Sequence, residues 1–158
     1  MMIKRIFALA TAVLCFALDL LTKNWALAEL QGQSIELTSF LNWSLAYNKG
    51  AAFSFLADMG GWQRYFFLAI AIAISLYLVY LIFREELDWL NAGCYGAVIG
   101  GALGNGYDRV IHGHVVDFID VHWGLAHYPT FNVADIFICT AIGLLVIGSM
   151  VRKGHEKN

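Results

Sequence analysis

YFFLAIAIAISLYLVYLIF, residues 65 to 83, is a run of nineteen residues without a single charge. As an α-helix it rises about 28 Å, enough to cross the hydrocarbon core of a bilayer. Reading outward from it, the rest of the chain agrees with a membrane solvent. Hydrophobic residues make up 59% of the 158 residues and charged residues only 14%. Adding the 15 glycines brings the apolar share to roughly two-thirds, against about 45–50% in soluble domains. A chain this short has a high surface-to-volume ratio and in water would need more polar skin. The net charge of −2, with 10 scattered basic residues, gives no footprint for nucleic acid. The three cysteines Cys15, Cys94 and Cys139 lie in apolar stretches and read as packing thiols rather than a disulfide framework.

Three further apolar stretches flank the first. Val133 to Val151 carries one charge, Asp135, near its start; Leu90 to about Asn105 is rich in glycine and alanine; Ile6 to Leu21 is interrupted late by Asp19. Lys4 and Arg5 before an apolar run also resemble a signal peptide, with Ala26-Leu27-Ala28 imitating its cleavage site. Three spans follow, however, and a retained helix completes an even count. The expected fold is therefore one mainly α membrane domain over 1–158. It has four transmembrane helices, at about 6–24, 65–84, 88–106 and 133–152, and two long outer loops, at about 25–64 and 107–132. With both ends inside, Lys4, Arg5, Arg84, Arg152, Lys153 and Lys157 are cytoplasmic, against Lys23, Lys49, Arg64 and Arg109 outside, a bias in the usual direction. Trp25, Trp43, Trp62, Tyr65, Trp123 and Tyr128 then gather at the outer interface. Gly96, Gly100 and Gly104, four apart, share one helix face and permit close approach of a neighbour.

Polar groups at membrane depth are the informative residues, because a central Asp costs about 2.5–3.5 kcal/mol on insertion scales. Asp19 and Lys23 are one helical turn apart and can pair. Asp108 and Arg109, at the outer end of the third helix, read as solvated charges ending that helix, although the guanidinium of Arg109 also suits a phosphate or a carbonyl. Asp117 lies among apolar neighbours in VVDFID, and Asp135 occupies the first turn of the last helix in FNVAD, where a carboxylate complements the helix dipole. The intervening loop is long enough to bring the two side chains together at the outer boundary. Two carboxylates in apolar surroundings share one proton, so one can take a proton from water while the other gives one to a peptide carbonyl.

Other chemistries find less support. No glutamate lies in an HExxH, no GxSxG occurs, and no phosphate-binding loop is present. His112, His114 and His122, with Asp120, offer a possible metal site, although loop histidines are usually solvated. Intramembrane acids beside glycine-rich helices also mark ion pathways, which leaves a small transporter as an alternative; its charges would sit nearer the midplane.

DLLTK (19–23), YNKGAAFSFL (47–56), GGALGNGYDR (100–109), VVDFID (115–120) and FNVAD (131–135) occur in an order that resembles the lipoprotein signal peptidases, the type II signal peptidases of bacteria. The likeness covers nearly the whole chain. It implies a metal-independent aspartic endopeptidase of the bacterial inner membrane, with no cofactor. The enzyme cuts diacylglyceryl-modified prolipoproteins before the lipidated cysteine, with its site toward the periplasmic face. On the matching positions, Asp117 and Asp135 are the catalytic pair. Asn48, Asn105, Arg109 and Asn132 match polar positions of the site, and Asp19 and Lys23 its supporting pair. Gly106 departs from the family, in which an apolar residue is commoner there. The first outer loop, Ile35 to Phe55, reads as a small β-rich cradle on the outer membrane face plus a short amphipathic piece. Gly50 there allows a sharp bend or close approach of a substrate. Four helices can bury their own polar faces, so a monomer in contact with membrane lipid and its lipidated substrates is expected.

Overall fold

The computed structural model describes residues 1–50 and 60–155. The AAFSFL portion of the 47–56 motif, and the amphipathic piece expected in that loop, lie outside the described residues. Four long helices form: α1 (Met2–Glu29), α2 (Gln63–Arg84), α3 (Trp89–Ile111) and α4 (Val133–His155). Between them run β1 (Ser34–Thr38), β2 (Leu41–Asn48), β3 (Val115–Trp123) and β4 (Ala126–His127), in one antiparallel sheet of order β1-β2-β3-β4. Three of the helices are long and apolar enough to cross a membrane: Met2–Glu29, Gln63–Arg84 and Val133–Val151.

α3 is the centre of the bundle and packs against α1, α2 and α4. Its stripe of small residues is what admits α1. A Cβ at Gly100 would sit 2.5 Å from the Ala12 carbonyl oxygen and 2.7 Å from Cys15 Cβ; one at Gly96 would collide with the Ala8 carbonyl, and one at Gly104 with the Asp19 carboxylate. On another face, Gly101 lies against the Ala134 carbonyl and Ile138 of α4. The glycine spacing therefore does what it predicts, close helix packing in the absence of a hydrophobic driving force.

The helix ends are held by side chains. Asp88 caps α3 by accepting the Asn91 N–H at 2.7 Å. At the same end of the bundle, Arg5 donates to the carbonyls of Ile82 (3.0 Å) and Phe83 (2.6 Å), and Lys4 to that of Leu87 (2.9 Å). Arg5 from the start of α1 thus occupies carbonyls that the last turn of α2 leaves free, and Lys4 one in the connection to α3.

Two of the boundaries that differ from the sequence reading bear on the site. α1 continues to Glu29 rather than stopping near 24, so Ala26-Leu27-Ala28 is helical and Ala26 is buried in a cluster with Leu30 and Phe118. α3 continues to Ile111 rather than 106, which places Asp108 and Arg109 within the helix. The second loop is also more ordered than expected. Val115, Val116, Phe118, Ile119 and Val121 are β-branched or aromatic, and the segment forms β3, paired to β2 with Ala46 opposite Asp117 and Asn48 opposite Val115. Asp117 therefore stands on a strand, not in a loop. The first loop supplies β1 and β2, in keeping with its expected β-rich character, and Trp25 of α1 packs edge-on against Trp43 of β2 at 4.6 Å between ring centroids.

Candidate active site

β3 and the entry of α4 are locked together by backbone pairing. Phe131 bridges to Ile119: its N–H donates to the Ile119 carbonyl at 3.1 Å, and its carbonyl accepts from Phe118 and Ile119 at 3.0 and 2.9 Å. The next residue, Asn132, is thereby set opposite Asp117 and immediately before α4. It is fully buried and works in three directions. Its Nδ2 donates to Asp117 Oδ1 at 2.7 Å, its Oδ1 accepts the Asp135 N–H at 3.0 Å, and its own N–H donates to Asp135 Oδ2 at 3.2 Å. The last two bonds form a reciprocal capping box at the N-terminus of α4, where the dipole favours the acid. A single asparagine is thus bonded to both carboxylates.

Asn105 of α3 completes the bridge. Its Nδ2 donates to Asp135 Oδ1 at 2.9 Å, and its Oδ1 accepts from Asn132 Nδ2 at 3.0 Å and Lys23 Nζ at 2.9 Å. Asn48, at the end of β2, hydrogen-bonds Asp117. Its Oδ1 also accepts the Gly50 N–H at 3.0 Å, and the Gly50 carbonyl accepts from Arg109 Nη2 at 3.0 Å. The Arg109 guanidinium donates as well to the Asn105 carbonyl (3.1 Å) and lies over the Phe67 ring, 5.2 Å from its centroid. The nine residues that the resemblance and the first outer loop assign to the site therefore fall into one hydrogen-bonded neighbourhood, Asp19 through its ion pair with Lys23.

Asp117, Asp135, Asn48, Asn105 and Arg109 line a common cavity of about 530 Å³. Tyr128 to Phe131 form one wall, and Ile136, Cys139 and Thr140 of α4 continue it along the helix. Cys139 is exposed here, unlike the buried Cys15 and Cys94, so its reading as a packing thiol does not hold. Asp117 is only 2% exposed. Burial first, then the charge of Asp135, pushes its carboxyl up to about 7, against the hydrogen bonds from Asn48 and Asn132. A proton on Asp117 is therefore held and exchanged near neutrality, the range in which acid–base chemistry is efficient. Open space faces the carboxylates, and water or a peptide carbonyl can meet them there.

Asp19 and Lys23 pair as their spacing predicts, Nζ to Oδ2 at 2.7 Å, and both are buried. The sequence reading misplaced Asp108. Taken as a solvated charge ending the helix, it is instead 2% exposed and lies 2.9 Å from Lys23 Nζ. The signal was present: stepping by four from Gly96 through Gly100 and Gly104 leads to Asp108, so it belongs to the face that meets α1.

The histidines do not converge. His112 and His114 flank the α3–β3 turn, whereas His122 stacks on His127 near the far end of β3, and eight residues of strand span about 26 Å. Asp120 is committed to His127 Nδ1 at 2.7 Å and Asn42 Nδ2 at 3.3 Å. Among the described residues, no three His, Cys, Asp or Glu side chains are grouped as metal ligands.

Known proteins share both the sequence and the fold. A lipoprotein signal peptidase of Dichelobacter nodosus is 42% identical over 90% of this chain and 92% of its own length. One from Neisseria meningitidis serogroup C is 53% identical over 77% of this chain and 74% of its own, and one from Actinobacillus succinogenes 46% identical over 92% and 90%. A bacterial membrane enzyme solved by the in meso method at 2.3 Å superposes with a TM-score of 0.80 at 31% identity, covering 96% of this chain and 91% of that one. The family described as signal peptidase (SPase) II matches residues 11–151, a stretch that includes all four strands and most of every helix, and the chain belongs to that family.

Proposed function

We propose that this chain is an aspartic endopeptidase of the bacterial inner membrane that removes the signal peptide from diacylglyceryl-modified prolipoproteins, cutting before the lipidated cysteine. One observation carries the assignment of the centre: Asp117 and Asp135 line one cavity and are both hydrogen-bonded to Asn132. Family membership supports the peptidase activity and its substrate class.

The chemistry follows from a pair sharing one proton. The ionised carboxylate draws a proton from water as the oxygen attacks the scissile carbonyl, and the protonated partner gives its proton to the carbonyl oxygen. The resulting gem-diol collapses as a proton passes to the amide nitrogen and the C–N bond breaks. The signal peptide leaves with a carboxyl group, and the lipidated cysteine with a free amine. Asn105, Asn132 and Asn48 hold the acids in place by hydrogen bonds that need no rearrangement during the step. The two proton roles are assigned to the pair jointly.

The residues 1–158 act as one domain with four spans. α3 is the least apolar helix, yet its 23 residues rise about 34 Å and its neighbours on three sides shield it from lipid. Both termini lie in the cytoplasm, and the sheet rests on the periplasmic face as a cradle at the level of the pair. A lipidated precursor lies in the bilayer with its cleavage point near the outer headgroups, where these carboxylates stand. The enzyme works as a monomer in membrane lipid and needs no cofactor or metal.

The test is incubation of purified protein with a diacylglyceryl-modified precursor and its unlipidated twin. Cleavage of the lipidated form alone is expected, with no loss on adding a chelator. Asp117→Asn and Asp135→Asn are expected to accumulate in the membrane and not cut. Full turnover by folded Asp117→Asn protein would remove that residue from the mechanism.

A further inference from the structure

Lys23 lies at the middle of a two-armed arrangement. Its ammonium contacts Asp19 Oδ2 at 2.7 Å on one side and Asp108 Oδ2 at 2.9 Å on the other, with Asn105 Oδ1 at 2.9 Å between. Each carboxylate also accepts one backbone N–H. Asp19 Oδ1 accepts that of Ala134 at 3.0 Å, and Asp108 Oδ2 that of Val116 at 3.0 Å. Ala134 immediately precedes Asp135, and Val116 immediately precedes Asp117. The two arms therefore grip the backbone at the same relative position beside each acid, one at the first turn of α4 and the other on β3.

Stability alone does not account for this cluster. It buries two carboxylates and one ammonium, all at most 2% exposed, and a buried ionic group of that kind is often no more stable than well-packed apolar side chains of similar volume. What it supplies is a fixed geometry between a strand and a helix from different parts of the chain. We propose that Lys23, acting through Asp19 and Asp108, is a clamp that sets the separation of Asp117 and Asp135, and that Asp108 is a positioning residue of the reaction. The inference rests on the catalytic reading of that pair given above. Asp108 touches neither acid's side chain and lies outside the lining of the cavity; it acts through the Val116 amide.

The arms can be cut separately in the full chain, reconstituted in lipid. Asp108→Ala removes both one of the two counter-charges of Lys23 and the acceptor for Val116. It is expected to lower kcat by about 10–100-fold, the scale for small misplacements of reacting groups, with KM within about twofold of the parent. It also leaves Lys23 less neutralised, so its pull on the Asp117 proton grows, and the alkaline limb of the pH–kcat profile moves to lower pH by about half a unit or more. Asp108→Asn keeps an oxygen for the Val116 N–H and is expected to restore kcat to within about threefold of the parent, while the limb stays shifted. Parent-like kcat in Asp108→Ala, equal kcat losses in the two variants, or an unmoved limb in either would overturn the clamp. If Asp108→Ala does not accumulate, Asp108→Asn decides alone: a shifted limb with a protected Val116 amide in hydrogen exchange supports it, and an unmoved limb or an unprotected amide defeats it. Asp117→Asn run in parallel separates the two claims. An active Asp117→Asn enzyme sinks the catalytic reading, whereas an inactive one beside a parent-like Asp108→Ala sinks only the clamp.

Discussion

α2 and α3 are nearly equal in length and opposite in every other respect. α2 is apolar all round, buries only Gln63, Ser75 and Ile82, and turns Ile72, Leu76, Tyr77 and Tyr80 outward. α3 is too rich in glycine and polar residues to qualify as a span on composition, yet it buries eleven residues and contributes Asn105 and Arg109 to the cavity and Asp108 to the ion pair behind it. In water the most hydrophobic helix would be the most buried. Here the order is reversed, because lipid accepts apolar side chains as readily as a protein interior does. Hydrophobicity marks the surface of this molecule, and small or polar residues mark its centre.

The strongest way to break that contrast is to give α3 the character of α2. Gly100→Leu places four carbons where a single Cβ already meets the Ala12 carbonyl at 2.5 Å and Cys15 at 2.7 Å, with backbone on one side that cannot yield. The expected cost exceeds about 4 kcal/mol, in the range reserved for overpacking that separates elements. Folded protein in gentle detergent, followed by size-exclusion and thermal melting, is expected to be lost. The reverse exchange, Leu76→Ala on the lipid face of α2, is expected to change the melt little. A Gly100→Leu protein that melts like the parent would mean that α1 and α3 do not pack through these glycines.

Next in size is Asn132→Ala. It removes the donor to Asp117, the cap of α4 and one partner of Asn105 together. Loss of the cap costs about 1–2 kcal/mol and lowers Tm by several degrees. Activity is expected to fall further, by about 100-fold or more in kcat, because both acids lose the group that ties them. Equal, small losses in Tm and kcat would reduce Asn132 to a helix cap.

The pH dependence separates the two regions without mutation. Asp117 holds its proton up to about 7 in the folded chain, against 3.8 for an ordinary aspartate. Between those values the folded state binds a proton that the unfolded state releases. The resulting stability is therefore complete below about 4 and is lost as pH rises through about 7. From pH 7 down to pH 5 the gain is about 2–3 kcal/mol, and Asp117→Asn is expected to flatten that slope. Because a carboxyl must still carry a proton during cleavage, the alkaline limb of kcat/KM is expected near 7. A limb that does not move when Asp117 is replaced by Glu or when its neighbours are altered would assign it to another group.

Much of this was legible in the sequence for a physical reason. Long uncharged runs have few structural uses, so α2 and α4 followed from composition, and glycines at four-residue spacing predicted the α1–α3 contact. The acids Asp117 and Asp135 stood out because a charge among apolar neighbours needs a purpose. What escaped were properties fixed by tertiary partners. The strand character of VVDFID was hidden by reading its aspartates as loop residues, although its β-branched Val and Ile and its Phe favour a strand. Asp108 was read as solvated because the end of α3 was placed five residues early. The bond from Asp19 to Ala134 spans 115 positions in sequence, and no local pattern announces it.

The smallest effect is the sharpest test, because it compares two glycines on one helix. A Cβ at Gly104 would collide with the Asp19 carboxylate, which already serves Lys23 and the start of α4. One at Gly106 meets Leu68 Cδ1 at 3.4 Å and Ala71 Cβ at 3.9 Å, ordinary contact with α2. Gly106→Ala is therefore expected to be neutral or to stabilise by up to about 1 kcal/mol, since alanine restricts the unfolded chain and favours the helix. Cleavage should be unchanged. Gly104→Ala, a change of the same single carbon two residues away, is expected to lower both Tm and kcat by pushing Asp19 off the α4 entry. If both variants behave alike, the difference between the faces of α3 that meet α1 and α2 is not the one described, and the departure of Gly106 from its family would need another cause than available space.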